Sequence, residues 1–333
     1  MPPGLPSGVN ANDDRISAMQ ICVMAVTGSF DTGLSSVLDT LQIAGELAAA
    51  AGRENPFNVS LCGVRRRVST QQGMRVPLAP LPRARPDVAI VPALGAKSPQ
   101  ALDLTLRERE LNDLGDLLSE WSRAGTLVAA ACTATFLIAQ TGLLDGRRAT
   151  TSWWLGPFFR ERFPRVVLEV SKVVVQSRGC VTAGAALSHV DLALWLVRRQ
   201  SPTLARTTAN FLTYEDRTSQ ASFVMHDHLA QSDDLVERFE HWARRNLAEF
   251  SLAAAARAVG TSERTLERRL GLALGKSPLG FVQDMRVERA VQRLRSSRDS
   301  LEQIATEVGY SDAVTLRTLL RRRTGRGVRE LRR

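Results

Sequence analysis

SLEQIATEVGYSDAVTLRTLL, residues 300–320, is the stretch on which the architecture turns. It opens with Ser300 and, three residues on, Gln303, an S-x-x-Q capping box of the kind that starts a helix. Ala305 precedes Gly309 by four, and a new apolar set, Leu316, Leu319 and Leu320, lies beyond Ser311. The same step occurs upstream in SLAAAARAVGTSERTLERRL, 251–270, where Ala256 and Gly260 stand 49 residues before Ala305 and Gly309. A small residue lets two helices cross closely, glycine takes the positive φ of a tight turn, and a following leucine seats the second helix on the first. That leucine, Leu266, is six residues past the first glycine; Leu316 is seven past the second, so the second turn is one residue longer. The spacing predicts a duplicated pair of helix-turn-helix units, 251–271 and 300–323.

Between the units, Ser277 and Pro278 open a linker helix expected over 278–296, proline being well tolerated at a first helical position. At about 1.5 Å per residue the stretch from Pro278 to Arg295 is about 27 Å long, enough to hold two second helices near one turn of B-DNA apart. Ser262 and Ser311 are the expected N-caps of those helices. With Leu266 and Leu270 facing inward, Ser262, Arg264, Thr265, Glu267 and Arg268 are the candidate contact residues of the first. Ser311, Asp312, Thr315, Arg317, Thr318 and Arg321 are those of the second. Arginine's planar fork suits guanine O6 and N7, which is why the pattern points to double-stranded DNA.

Charge supports the same partner. Of the net +10, residues 235–333 contribute 21 Lys+Arg against 12 Asp+Glu, while 1–234 hold 23 against 22. A basic end joined to a near-neutral remainder is the footprint of a module that meets a polyanion. Four cysteines without a CxxC pair argue against a disulfide framework and against a zinc site. His226 and His228 flank Asp227 in a polar stretch without further ligands, so no metal and no cofactor is expected. No basic-then-apolar leader opens the chain, and the run from Leu127 is too short to span a bilayer, so the expected location is cytoplasmic, with no membrane partner.

The first two thirds alternate differently. ICVMAV, FNVSLCG, PDVAIVPALG and TLVAAAC read as buried strands, and the segments between and after them as helices; VVLEVSKVVVQSRGCVTAG reads as a hairpin or strand pair. This predicts an α/β domain, flavodoxin-like, with a mostly parallel sheet and helices on both faces, followed by an all-α domain with two helix-turn-helix units. The boundaries expected are 19–210 for the α/β part, 211–234 for a polar connector and 235–333 for the helical part.

Two resemblances follow from these residues. SERTLERRL, GKSPLGFVQDMRVERAVQRL and IATEVGYSDAVTLRTLLRRRTGRG resemble the AraC/XylS type of DNA-binding domain, with Val328 where that family commonly has proline. ACTATFLIAQTGLLDGRRATTSWW, with FPRVVLEV, VTAGAALSHVDLAL and the PALG strand, resembles the amino-terminal domain of GlxA-type AraC regulators. That domain is similar to the PfpI and class I glutamine-amidotransferase-like superfamily.

The second resemblance poses a question about Cys132. In that superfamily's enzymes a cysteine on a strand-to-helix turn is activated by histidine; here Ser152 stands where histidine often occurs, and serine is no base for a thiol near pH 7. His189 reads as a core residue. No catalytic residue is therefore expected, and Asp31, Gly95, Cys132, Thr133 and Ser152 are expected to line a ligand pocket. The resemblance implies a transcription regulator, a homodimer with a small-molecule effector. The alternative is a thiol-dependent amidase or peptidase-like enzyme with a DNA-binding appendage.

Overall fold

The computed structural model describes residues 18–215, 217, 219–220 and 234–332. Strands β1 (Met19–Met24), β2 (Phe57–Cys62), β5 (Val88–Val91), β6 (Leu127–Ala131), β9 (Val174–Ser177) and β10 (Cys180–Ala183) form one sheet in the order β2-β1-β5-β6-β10-β9. All neighbours are parallel except β9 and β10, which form a hairpin. Two small pairs, β3 (Arg67–Ser69) with β4 (Arg75–Pro77) and β7 (Arg148–Ala149) with β8 (Val167–Leu168), stand apart.

Helices cover both faces, as continuous apolar strands require. Along β1, Ile21 and Val23 face α1 (Asp31–Ala50), α6 (Ser188–Gln200) and α7 (Pro202–Phe211), packing with Leu41, Leu192 and Leu196. Cys22 and Met24 face the other way. Their layer contains α2 (Pro99–Thr105), α3 (Arg109–Arg123), α4 (Ala134–Gln140) and α5 (Gly156–Arg162), through Leu102, Leu114, Phe136 and Phe159. The period-two alternation thus sorts two cores on one sheet.

Beyond the α/β part the described residues are helical: α8 (Asp234–Arg245), α9 (Leu252–Ala258), α10 (Glu263–Leu274), α11 (Pro278–Ser296), α12 (Leu301–Glu307), α13 (Ala313–Thr324) and α14 (Val328–Leu331). They enclose two separate cores. Val236, Phe239, Ala256, Leu266 and Leu270 meet Phe281, Val282 and Met285 from the first half of α11. Ile304, Ala305, Leu316 and Leu320 meet Val287, Ala290 and Leu294 from its second half. One helix therefore serves as a wall of both units.

The seam between the halves is tied by charge. Arg286 donates to the Leu247 carbonyl at 2.9 Å and 2.6 Å, and its guanidinium lies 5.1 Å from the ring centroid of Tyr310 in the second unit. Asp284, next but one along the helix, pairs with Lys276 at 2.5 Å and Arg323 at 3.0 Å. Gly309 must be glycine, for its φ is +88° and a Cβ there would meet the Ala248 backbone at 2.7 Å.

Candidate nucleic-acid interface and the closed thiol site

α10 begins at Ser262, whose hydroxyl accepts from Thr265 N–H at 3.2 Å. α13 corrects the expectation at its start. The cap is Asp312, accepting from Thr315 N–H at 2.7 Å, whereas Ser311 makes only a 3.5 Å contact to the Asp312 carboxylate. The extra residue of the second turn is the reason: Gly309, Tyr310 and Ser311 occupy the corner that Gly260 and Thr261 fill in the first unit, and this moves the cap along by one. Bonds from Thr315 hold the Asp312 carboxyl below its usual range.

With the caps aligned, the two second helices match residue for residue. Leu266 and Leu270 correspond to Leu316 and Leu320, all fully buried. Ser262, Arg264, Glu267 and Arg268 are exposed on α10, with Thr265 half-buried; Ser311, Asp312, Thr315, Arg317, Thr318 and Arg321 are exposed on or before α13. Arg317, Thr318 and Arg321, with Arg322, line a surface hollow of about 380 Å³. Each face carries exposed side-chain donors.

The thiol lies on a strained corner. Cys132 has φ +58°, a conformation uncommon for a residue with a side chain, between the end of β6 and the start of α4. Its amide donates to Ala183 O at 2.9 Å, and the Thr151 hydroxyl donates to its carbonyl at 2.7 Å. Its Sγ lies 2.8 Å from Ser152 Oγ. Cys132 is 5% exposed and Ser152 not at all, so the pair is sealed from water. Burial pushes the thiol pKa up, against smaller opposing effects of Ser152 and Thr133, and the sulfur is held as a thiol near pH 7.

Of the other three expected pocket residues, Thr133 is buried beside the thiol and donates to Leu94 O at 2.7 Å. Gly95 follows that carbonyl and donates to Gly28 O at 2.8 Å; its own oxygen accepts from Gln71 Nε2 at 2.9 Å. Asp31 opens α1 and accepts from Gln72 N–H at 3.0 Å, leaving Oδ1 buried without a partner among the described residues. The five residues thus lie along one bonded set of loops, where Cys132, Thr133 and Ser152 are closed off. A cavity of about 780 Å³ lies elsewhere, lined by Arg107, Gln140, Asp145, Arg162 and Arg165 among others, and includes none of the five.

Sequence reasoning read His189 as a core residue without finding its bonds, and it missed Gln220. His189 is fully buried at the start of α6, where Nε2 accepts from Ala93 N–H at 3.0 Å and Nδ1–H donates to the Ala186 carbonyl. It braces the loop that carries Leu94. Gln220, in the expected connector, is buried instead: it accepts from Ala185 N–H at 3.0 Å and donates to the carbonyls of Thr151 at 3.0 Å and Val170 at 2.7 Å. No periodicity marks an isolated glutamine that bonds backbone, so nothing in the chain could have singled it out. His226 and His228 lie outside the described residues. Among those described, no group of three or more His, Cys, Asp or Glu is placed to hold a metal, and no helix is long and apolar enough to cross a membrane.

Residues 255–333 match the helix-turn-helix domain family. The HTH-type transcriptional regulator ArgR of Pseudomonas aeruginosa is 28% identical over 203 residues, 60% of this chain and 61% of the relative. The HTH-type transcriptional regulator GlxA of Rhizobium meliloti is 26% identical over 203 residues, 58% of this chain and 61% of that one. The chain spans about three fifths of the length of these curated relatives. Among solved structures, an AraC family transcriptional regulator from Pseudomonas putida aligns with 58% of this chain and 99% of its own, at 18% identity and a TM-score of 0.48.

Proposed function

We propose that this chain, whose residues 255–333 match the helix-turn-helix domain family, is a sequence-specific DNA-binding transcription regulator. Its α/β domain would sense a small-molecule effector or pair two chains in a homodimer, and its place of work would be the cytoplasm. The observation that carries the reading is the matched pair of outward faces on α10 and α13, set on the two halves of one rod. α11 has 19 residues, which at about 1.5 Å each is about 28 Å, near the spacing of successive major grooves.

In this reading, arginines of the two faces divide between phosphates, which set register, and base edges, which set sequence. Arg268→Ala tests the division on a duplex selected from a random-sequence library by the full chain. The expected loss is about 1–3 kcal/mol on the selected site and less on bulk genomic DNA. Equal losses on both would make Arg268 a phosphate contact and remove it from the sequence-reading set.

The strained corner at Cys132 favours one rival, a thiol-dependent amidase or peptidase. Its thiol is protonated and buried, and its neighbour is a serine, which cannot accept the proton that a nucleophilic sulfur must lose. Amidase turnover that disappears in Cys132→Ser would reverse the ranking.

A further inference from the structure

Adjacent tryptophans part company immediately after the thiol's partner. Ser152 bonds Cys132; Trp153 packs on the core of the first helical unit, and Trp154 packs on the α/β core. Their rings meet edge to face at 5.5 Å. The chain then forms α5, which packs against α10. Arg160 of α5 sits against Gly275, the left-handed residue that ends α10, where a Cβ would collide with the guanidinium. A cation at that position faces the negative end of the α10 dipole. The second unit has a looser tie: Arg326 meets Glu215 at 3.2 Å in an exposed pair, a kind of contact that salt weakens.

The helix so held is the one whose outward face carries Arg264, Glu267 and Arg268. Leu266 and Leu270 bind a second side of it to its own unit. A helix with its side chains is about 10–12 Å across, and the major groove is about 12 Å wide, so a recognition helix fills the groove by itself. α5 meets α10 at its C-terminal end, by Gly275, and leaves Arg264, Glu267 and Arg268 exposed, so it is the deep entry of that end that α5 would hinder.

We propose that Trp153 and α5 form an intramolecular latch on α10. The docked arrangement is then the low-affinity form, in which the second unit engages DNA first and the first engages fully only after α5 leaves. This rests on the DNA-binding reading above. The latch begins one peptide bond beyond Ser152, so it and the closed thiol site are the two ends of a single segment.

The test uses the full chain and a duplex that it selects from a random-sequence library. Trp153→Ala and Arg160→Ala should each bind that duplex more tightly, by roughly tenfold. Arg160, half-buried on a surface helix, keeps the test open where loss of the tryptophan impairs folding. In the wild-type chain, adding the duplex should speed amide exchange across 156–162. Equal or weaker binding by both variants, or α5 protection retained in the complex, overturns the latch and leaves the DNA reading standing. A chain that selects no duplex overturns both.

Discussion

His189 has one neutral form that satisfies both ring nitrogens: Ala93 N–H donates to Nε2, and Nδ1–H donates to Ala186. Its burial brings the imidazole pKa from 6.5 down to about 4. Unfolded chains therefore take up a proton here between pH 6.5 and about 4 while the native protein does not, and stability falls as pH falls through that window. The full difference is about 3 kcal/mol, since each tenfold change in proton affinity corresponds to about 1.4 kcal/mol. Denaturant unfolding at stepped pH should show this slope in the wild type and a flatter one in His189→Gln. Equal slopes would mean that the ring is protonated in the fold. Gly33 is part of the same arrangement, since a Cβ there would meet His189 Nε2 at 2.6 Å. The core placement of His189 was legible in the chain, but its bonds were not, because the acceptor's partner is a backbone N–H 96 residues away. The Ser152 position was legible through its ATTSWW context, although its burial against the sulfur was not.

At the scale of elements, the caps show how far spacing can be trusted. Ser300 and Gln303 form the expected box, with Ser300 Oγ accepting from Gln303 N–H at 3.1 Å and Gln303 Oε1 from Ser300 N–H at 2.8 Å. The cap of α13 falls one residue beyond the expected Ser311, because Ser311 and Asp312 are both good capping types and only the geometry of the longer turn chooses between them. Asp312→Ala should lower the thermal midpoint, whereas Ser311→Ala should leave it nearly unchanged. The benefit of Asp312 is present above the ordinary carboxylate pKa and is lost as pH falls through the depressed native value, so the two variants should converge in acid. A larger loss from Ser311→Ala would return the cap to the serine. Long helices and buried strands announced themselves by period. The pairs β3 with β4 and β7 with β8 did not, since two or three residues carry no periodicity and their pairing depends on tertiary placement.

Across the whole molecule, the duplication was legible because it repeats in the chain, whereas the docking of Trp153 on a unit that begins some eighty residues later depends on surfaces that only folding creates. What the duplication left unstated is how rigidly the two units are joined. Arg286 answers this, since it bonds the Leu247 carbonyl from the first unit and lies over Tyr310 of the second. A stiff joint makes the second groove contact intramolecular, at an effective concentration that falls once the units can swing independently. Arg286→Ala should therefore weaken binding to a selected two-groove duplex by roughly tenfold, while a duplex carrying a single half-site is bound almost as before. Arg286 is turned inward and neutralises no phosphate, so the slope of log K against log salt should match the wild type. A shallower slope with equal losses on both duplexes would show instead that this guanidinium meets the DNA backbone, and the rod would then have to owe its stiffness to Asp284 and its two partners alone.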